Sequence, residues 1–519
     1  MNAYELPRLE SSLLLIRADA NVKIGTGHVM RCMALAQAWQ DKGGRVLWVF
    51  AEMTASFEER LQRENVKSVK IEGSPGSKED SEQTVTLASK SQASWVVLDG
   101  YHFGVEFQTA IKNAHLKLLF VDDNGHAGEY SADFVLNQNV YARASMYKNR
   151  EPHTQLLLGT RFALLRREFA GSRDWQRTIS RSGARVLISL GGSDPENVTS
   201  KVLNATLQAR QRSLQVRVIV GGINPHHNEI RDVASNAPFP IQVISDTYDM
   251  PSCMMWADVM ISSAGSICWE SCFFGLPAIV IDIAKNQRSV AERLHELGVA
   301  IHLCSAAELK REKIASTLDS LLNSPATRVQ MSEAGHKLVD GKGAARVESF
   351  MSSPLRLRRA RQSDALLLWD WANDPEVRAN SFSTETITWA VHEEWFRTKL
   401  EDNSSKLYIA TNPVGEPVGQ ARFDIDQKRA KLSVAVGKQF RGQGNSRTII
   451  FQAMETLFQE AEVEFVDAYV KAKNRASLRL FAAAGFTDLG CKQVHGNSAV
   501  HFVFEKCVSR SHRPIGADT

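Results

Sequence analysis

Between residues 13 and 350 the chain alternates short, continuous apolar runs with longer stretches of helical periodicity. In the first half the apolar runs are residues 13–16, 45–50, 95–98 and 118–121. Strands buried on both faces have this composition, and helices between them cover the two faces of a parallel sheet. The alternation therefore predicts an α/β region built on parallel sheets.

The same alternation begins again after a polar, Arg/Ser-rich segment at 175–183, which we interpret as a hinge. Apolar runs at 186–190, 216–220, 259–262 and 278–281 predict further strands, and 289–297 has helical spacing. We expect two Rossmann-like lobes, residues 11–175 and 183–350, that face one cleft. Ligands of such sheets bind at the carboxyl ends of the strands.

The pattern changes after residues 351–354. Runs at 408–410, 418–424 and 431–436, with a Gly/Pro turn at 412–417, predict antiparallel strands. Helices are expected at 448–460 and 477–484, and strands at 465–470 and 500–505. Residues 355–507 are thus predicted to form a separate α+β domain, and residues 508–519 a disordered tail.

Charge and cysteine content exclude several classes of protein. Lys and Arg total 62 against 58 Asp and Glu, so no polycationic surface for nucleic acid is expected. The seven cysteines are scattered and form no CxxC pair, which argues against a disulfide framework or a zinc site. Residues 1–10 lack the basic start of a signal peptide, and no apolar run is long enough to span a membrane. We expect a soluble cytoplasmic protein without membrane or nucleic-acid partners.

A glycine-rich turn, Ile24-Gly-Thr-Gly-His28, lies between the first predicted strand and a helix expected at 29–41. Gly25 and Gly27 let a ligand approach the backbone, and the helix N-terminus favours an anion. A structural turn is the alternative. Met30 occupies the position of the third glycine of the dinucleotide fingerprint, which weakens a nicotinamide interpretation. His28, in the first helical turn, is a candidate general base because the helix dipole favours a neutral imidazole.

A second turn, Ser262 to Glu270, follows another predicted strand. Its helix start can hold a diphosphate, and the Glu270 carboxylate can accept hydrogen bonds from a ribose diol; the alternative is a solvated helix residue. Gly191 and Gly192 form a third turn after a strand, and Asn286-Gln287 follows a fourth strand. Together these loops predict a nucleotide-sugar cleft.

Residues 13–350 resemble the UDP-sugar hydrolases of pseudaminic acid biosynthesis, which remove UDP from UDP-2,4-diacetamido-2,4,6-trideoxy-β-L-altropyranose. The matching stretches are residues 17–20, 24–31, 98–101, 121–123, 136–139, 158–166, 190–194, 263–270 and 284–287. The fold of this family is similar to that of B-type glycosyltransferases.

This resemblance implies that His28 is the catalytic base or its equivalent, that Glu270 holds the nucleotide, and that Asp99, Tyr101 and Asn137 face the sugar. The other candidate substrate-binding residues are Arg17, Asp19, Gly25, Gly27, Gly191, Gly192, Ser263, Gly265, Ser266, Asn286 and Gln287. It also implies attack of water on the anomeric carbon with inversion, and a diphosphate stabilised by the loops without a metal.

Residues 355–506 resemble the GNAT superfamily of N-acetyltransferases. The signals are Gln439-Phe-Arg-Gly-Gln-Gly-Asn-Ser446 between a strand and a helix, followed by Asn474-Arg-Ala-Ser477 and Leu480-Phe-Ala-Ala-Ala-Gly-Phe486. The first loop can form a backbone nest for a pyrophosphate. The resemblance implies acetyl-CoA as cosubstrate. The residues expected to bind it are Arg441, Gly442, Gly444, Asn445, Ser446 and Asn474.

Residues 367–378 look most like the branch that acetylates the 4-amino group of a UDP-amino sugar, and they also resemble ribosomal-protein N-terminal acetyltransferases. Phe481 stands where members often have a tyrosine that protonates the leaving thiolate. Asp424, Asp426 and His392 are the candidates for a general base.

The two resemblances together predict a bifunctional enzyme of pseudaminic acid biosynthesis, a nonulosonic acid pathway that serves flagellin glycosylation. The C-terminal domain would acetylate UDP-4-amino-4,6-dideoxy-β-L-AltNAc, and the N-terminal lobes would hydrolyse the product. A B-type glycosyltransferase that uses a UDP-sugar is one alternative. A non-catalytic nucleotide-sugar sensor, with a GNAT domain that acetylates a protein, is another.

Overall fold

The computed structural model describes residues 12–22, 24–211, 213–352, 355–442, 444–494 and 496–506. The chain divides into two compact units, with the division between Ser352 and Ser353. The tail expected at 508–519 and the chain start at 1–10 lie outside the described residues. None of the helices that the structure describes is both long and apolar enough to cross a membrane.

The first lobe of the first unit is a seven-stranded parallel sheet of order β3-β2-β1-β4-β5-β6-β7. Its elements are β1 (Leu13–Ala18), α1 (Gly27–Gln40), β2 (Arg45–Phe50), α2 (Ala55–Arg63), β3 (Lys67–Lys70), α3 (Lys78–Lys90), β4 (Ala93–Asp99), α4 (Val105–Asn113), β5 (Leu118–Val121), β6 (Phe134–Asn137), β7 (Gln155–Leu158) and α5 (Arg167–Ala170). Every residue of the central strand β1 is buried, as expected for a strand covered on both faces.

The second lobe is a six-stranded parallel sheet of order β10-β9-β8-β11-β12-β13. Its elements are β8 (Arg185–Ser189), α6 (Val198–Thr206), β9 (Gln215–Val220), α7 (His227–Ser235), β10 (Ile241–Ser245), α8 (Met250–Trp256), β11 (Val259–Ser263), α9 (Ile267–Phe273), β12 (Ala278–Asp282), α10 (Arg288–Glu296), β13 (Ala300–Ser305), α11 (Arg311–Leu322) and α12 (Pro325–Leu338). Two apolar cores, one on each face of the sheet, hold this lobe together.

The segment that we interpret as a hinge is anchored to the second lobe. Arg177 donates hydrogen bonds to the carbonyls of Phe274, Ala257 and Met254, and the Trp175 ring packs edge-on against Phe274. The last helix of the unit, α13 (Gly343–Ser352), returns to the first lobe and packs on α1. The two segments that connect the lobes, residues 175–183 and α13, are therefore each fixed by specific contacts.

The second unit is a seven-stranded mixed sheet of order β14-β15-β16-β17-β18-β20-β19. Its elements are β14 (Arg356–Arg359), α14 (Ala365–Asn373), α15 (Pro375–Asn380), α16 (Trp389–Glu401), β15 (Ser405–Thr411), β16 (Pro417–Asp426), β17 (Arg429–Val436), α17 (Asn445–Glu460), β18 (Phe465–Lys471), α18 (Arg475–Ala483), β19 (Thr487–Val494) and β20 (Asn497–Glu505). The pair β17–β18 is parallel, and the other neighbours are antiparallel.

The parallel pair β17–β18 is joined over three residues of each strand. Arg429–Lys431 pairs with Phe465–Asp467, after which the two strands continue without pairing to each other. The strands thus part at their carboxyl ends, and α17 and the main apolar core lie on one face of the sheet. A gap of this kind between parallel strands can admit an extended ligand.

Candidate active sites

The loops of the two lobes in the first unit line one open cleft of about 440 Å³. Twelve of the residues singled out in the sequence lie on its wall: Gly25, Gly27, His28, Tyr101, Gly191, Gly192, Ser263, Gly265, Ser266, Glu270, Asn286 and Gln287. The carboxyl ends of the strands therefore meet at this cleft in both lobes, as the fold class requires.

His28 is the second residue of α1, at the edge of the cleft. Its Nδ1 lies 2.6 Å from Oδ1 of Asp99, the last residue of β4. With Nδ1–H donating to this carboxylate, Nε2 carries the lone pair and can accept a proton. Burial opposes ionisation of Asp99, but the Arg31 charge and the hydrogen bonds from Arg31 and His28 hold its pKa well below the usual range.

Arg31 lies one helical turn after His28 and links two strand ends. Its guanidinium donates to both oxygens of Asp99, at 2.6 and 2.7 Å, and to both oxygens of Asp123, at 3.0 and 2.7 Å. Asn139 Nδ2 donates to the Asp123 carboxylate at 2.7 Å. Arg31 thus fixes the carboxylate that orients His28.

Tyr101 connects this network to the second lobe. Its ring lies edge-on to the His28 ring, with centroids 4.9 Å apart, and its hydroxyl accepts a hydrogen bond from Asn286 Nδ2 at 2.9 Å. Burial, and next the nearby Asp123 charge, raise the pKa of Tyr101 to about 12. The hydroxyl therefore stays protonated at neutral pH.

The two glycine-rich turns of the second lobe differ at their helix starts. After Gly191 and Gly192, the carboxylate of Asp194 accepts from the amides of Val198 and Thr199 at 2.8 Å each, so the N-terminus of α6 is already capped. The helix start after Ser263 has no side-chain cap. Of these two starts, α9 is the one without a side-chain cap, although the amides of Cys268 and Trp269 already donate to the carbonyls of Gly265 and Ser266.

Glu270 lies in a chain of alternating charges at the wall of the cleft. Arg166 contacts Glu270 at 3.1 Å and Glu168 at 2.6 Å, and Arg60 contacts Glu168 at 2.5 Å. Burial raises the pKa of Glu270, although the Arg166 charge acts in the opposite direction. One oxygen of Glu270 contacts Arg166. A ribose diol would therefore bind the second oxygen, or Arg166 would have to move away from Glu270.

Four predicted substrate-binding residues, Arg17, Asp19, Asp99 and Asn137, lie beneath the cleft rather than on its wall. Arg17 and Asp19 pair with each other at 2.6 Å, and Arg17 also pairs with Asp80. Asn137 donates to the carbonyl of Asp123 and to the hydroxyl of Tyr147. All four are at most 1% exposed. They support the loops above them, and direct contact with a substrate stays a prediction.

Sequence reasoning assigned no role to Arg31, Asp123 or Arg166, which the structure places at the cleft. Arg31 is three residues after His28, and helical spacing places both on one face of α1. That spacing was the available signal. Asp123 meets Arg31, and Arg166 meets Glu270, across long sequence separations that a single sequence does not reveal.

In the second unit, the predicted pyrophosphate loop precedes α17. Gly442 and Gly444 have φ of +77° and +75°, the left-handed conformation that glycine adopts without strain. Asn445 and Ser446 begin the helix, and Asn445 Nδ2 donates to the Phe440 carbonyl at 2.9 Å. The Arg441 guanidinium contacts Asp374 and Glu376, each at 2.8 Å, so its use for a phosphate requires an exchange of partners.

Asn474 lies just beyond the end of β18, where this strand has parted from β17. Its Oδ1 accepts from the Ser477 amide at 3.1 Å, which caps α18. Phe481 is 4% exposed and stacks on Phe502. Asn474 therefore flanks the gap between the strands, whereas Phe481 packs in the apolar core and brings no hydroxyl.

The three candidates for a general base differ in their surroundings. Asp424 is paired with Lys399 and Arg422. His392 is buried and bonds the Ala365 carbonyl, and Asp426 is exposed at a strand end. Within the described ranges, no three His, Cys, Asp or Glu side chains gather into a group that could hold a metal ion.

Two protein families match this chain. Residues 186–345 match the glycosyltransferase family 28 C-terminal domain. Residues 354–487 match the acetyltransferase (GNAT) domain. The first match covers the second lobe, and the second covers most of the mixed sheet.

Three curated relatives extend these matches. An uncharacterised protein of Methanocaldococcus jannaschii is 21% identical over 91% of this chain and 96% of its own length. Spore coat polysaccharide biosynthesis protein SpsG of Bacillus subtilis is 27% identical, covering 45% of this chain and 68% of its own. The UDP-2,4-diacetamido-2,4,6-trideoxy-β-L-altropyranose hydrolase of Campylobacter jejuni is 23% identical, covering 56% and 98%.

Fold and family matches define the class of protein. The chain joins two Rossmann-like lobes of the glycosyltransferase B kind to a GNAT acetyltransferase domain. It therefore combines a sugar-nucleotide-binding fold with an acetyltransferase.

Proposed function

We propose that the chain is a bifunctional nucleotide-sugar enzyme. Its GNAT domain transfers acetyl from acetyl-CoA to the 4-amino group of UDP-4-amino-4,6-dideoxy-β-L-AltNAc. Its lobes then hydrolyse UDP-2,4-diacetamido-2,4,6-trideoxy-β-L-altropyranose to UDP and the free sugar. The observation that carries the proposal is the His28–Asp99 pair, at 2.6 Å, at the edge of a cleft whose opposite wall is two glycine-rich turns.

In the hydrolytic step, Nε2 of His28 takes a proton from a water molecule as the water oxygen attacks the anomeric carbon. The bond between this carbon and the diphosphate oxygen breaks, and UDP leaves as the anion. Asp99, held by Arg31, stabilises the imidazolium that forms. The backbone around Ser266, before α9, and the backbone around Gly191 would stabilise the leaving diphosphate.

In the acetyl-transfer step, the nest at Gly442 and Gly444 would hold the pyrophosphate of acetyl-CoA, with its arm in the gap between β17 and β18. The amine attacks the thioester carbon, a C–N bond forms, and the C–S bond breaks. Because Phe481 has no hydroxyl, the thiolate takes its proton from water or from the attacking nitrogen.

A B-type glycosyltransferase is the second candidate, because residues 186–345 match a glycosyltransferase family. Such an enzyme would transfer the sugar to an acceptor other than water. Its release of UDP would depend on that acceptor, whereas a hydrolase releases UDP from the nucleotide sugar alone.

The test uses the purified full-length chain and the pre-acetylated UDP sugar. UDP release without any acceptor, together with one equivalent of free sugar, supports the hydrolase. No release until a sugar or lipid acceptor is added would favour the glycosyltransferase. Acetyl transfer is followed separately, as free thiol formed from acetyl-CoA with the 4-amino UDP sugar or with peptide acceptors.

A further inference from the structure

One face of the mixed sheet carries a row of charged and aromatic side chains that no step above uses. Lys431 of β17 pairs in register with Asp467 of β18, and Tyr469 of β18 pairs with His501 of β20. Side chains alternate along a strand, so Asp467, Tyr469 and Lys471 point to the same side. We call Arg429, Lys431, Asp467, Tyr469, Lys471 and His501 the polar face. The apolar core with α17 occupies the other side.

The carboxylate of the polar face is already neutralised. Arg429 donates to both oxygens of Asp467, at 2.8 and 2.6 Å, and His501 Nε2 lies 2.6 Å from Asp467 Oδ1. These partners hold the pKa of Asp467 low, although burial opposes this. On the neighbouring strand, Asp424 is paired with Lys399 and Arg422. A cationic ligand would therefore have to displace an existing ion pair.

Two lysines of the polar face, unlike its carboxylate, have no ion-pair partner in the part of the chain that the structure describes. Lys471 is 4% exposed, and its ammonium donates to the Ala379 carbonyl at 3.3 Å. Lys431 is exposed, and its ammonium lies 5.6 Å from the centre of the Tyr469 ring. Among the described residues, neither ammonium has a carboxylate within ion-pair distance. A buried ammonium without a counter-charge is costly, and an anion that binds it removes this cost.

Both lysines are close to the expected site of transfer. Lys431 is the last residue of β17 that pairs with β18, and Lys471 is the last residue of β18. They therefore stand at the two ends of the gap that we assign to the arm of acetyl-CoA. Helix α15 and the segment after it border the same face, because Ala379 of α15 accepts from Lys471 and Phe382 of the segment accepts from Asn497.

Resting on the proposed function of the GNAT domain, we infer that Lys431 and Lys471 select an acceptor whose amine is carried by a diphosphate-bearing molecule. They bind the diphosphate of this acceptor. Free amino sugars and polyamines lack the anion that these lysines require, and polyamines also bring a positive charge to a face on which Asp467 and Asp424 are already paired.

The test compares acetyl transfer to three amines in a His28→Asn background, in which the acetylated product is not consumed. The acceptors are the UDP-4-amino sugar, the methyl glycoside of the same amino sugar, and spermidine. We expect kcat/KM for the UDP-linked amine to exceed that for the glycoside by about a hundredfold, since two charge-assisted contacts are lost without the diphosphate. Spermidine should be the poorest acceptor.

The variants Lys471→Met and Lys431→Met should each raise KM for the UDP-linked amine about tenfold, with kcat and the rate on the glycoside unchanged. Lys428→Met is the matched control, because Lys428 is exposed and paired with Glu464 away from the polar face. Circular dichroism verifies that each variant is folded.

Three results would contradict the inference in distinguishable ways. If both variants keep the wild-type KM for the UDP-linked amine, the lysines do not select the acceptor. If KM rises for acetyl-CoA instead, the lysines bind the phosphates of the cosubstrate. If His28→Asn enzyme with both lysines intact acetylates the glycoside or spermidine but not the UDP-linked amine, the proposed acceptor itself is wrong.

Discussion

Nδ1 of His28 lies 2.6 Å from Oδ1 of Asp99, and Arg31 holds the same carboxylate with two hydrogen bonds. His28 enters this pair from the start of a helix and Asp99 from the end of a strand. A histidine anchored in this way presents its other nitrogen to the cleft in a fixed tautomer. This arrangement is what a general base requires.

Substitution of either residue of this pair should slow hydrolysis without affecting acetylation. His28→Asn should lower kcat for UDP release from the pre-acetylated sugar about a thousandfold, because general-base catalysis contributes on that order. Asp99→Asn should reduce kcat less, since the base remains and its orientation is lost. Acetyl transfer by the same preparations is the internal control. UDP release at the wild-type rate by His28→Asn would rule out His28 as the base.

Close approach of two loops across the cleft gives a second prediction. A Cβ atom on Gly192 would lie 2.5 Å from Oγ1 of Thr26. Gly192→Ala should therefore force the loops apart and raise KM for the UDP sugar about tenfold, the usual cost of overpacking. The double variant Thr26→Ala/Gly192→Ala should recover most of the loss. Gly104→Ala, where a Cβ meets nothing within 4 Å, is the control.

A third prediction concerns the loop before α17. Gly444 has φ of +75°, so Gly444→Ala should strain the loop and raise KM for acetyl-CoA. Gly415 has φ of +86° in the turn between β15 and β16, and Gly415→Ala should introduce similar strain without changing this KM. Initial rates at varied acetyl-CoA concentration separate the two variants. Equal effects on KM would show that Gly444 acts through stability alone.

The pair of His126 and Asp122 predicts a pH dependence of stability. Burial opposes protonation of His126, but its hydrogen bond with Asp122, at 2.9 Å, raises the pKa of the imidazole above the usual value. A raised pKa stabilises the folded state fully below the unfolded value of about 6.5, and this contribution disappears as pH rises through the folded value.

The variant His126→Gln should therefore lower the thermal unfolding temperature more at pH 6 than at pH 9. His295→Gln, at an exposed position of α10, is the control and should show a small difference at both pH values. A cost of His126→Gln that grows with pH would contradict the assigned direction of the pKa shift.

Local sequence patterns predict the fold class, but they do not predict every element. The buried strand β1 and the helix after it lie where continuous apolar residues and a glycine turn predict them. The strand β3, Lys67–Lys70, is four residues long and has lysine at both ends, so no apolar run indicates it. Such strands are fixed by pairing with a neighbour, which is a tertiary effect.

In the candidate site, too, local patterns indicate some residues, and the contacts of others depend on tertiary packing. Gly191, Gly265 and His28 were predictable as site residues, because each lies in a glycine turn after a strand and the fold brings the strand ends together. The sequence suggests Arg17 as a substrate-binding residue, yet it is fully buried and neutralised by Asp19 and by Asp80, which is 63 residues away. Ion pairs across such separations depend on packing that a single sequence does not show.

The most direct test of the bifunctional enzyme is UDP release from UDP-4-amino-4,6-dideoxy-β-L-AltNAc by the purified chain, with and without acetyl-CoA. We expect UDP to appear with acetyl-CoA, one equivalent per acetyl group transferred, and release to stay at background without it. No UDP in either case, and none from the pre-acetylated sugar, would contradict the hydrolase.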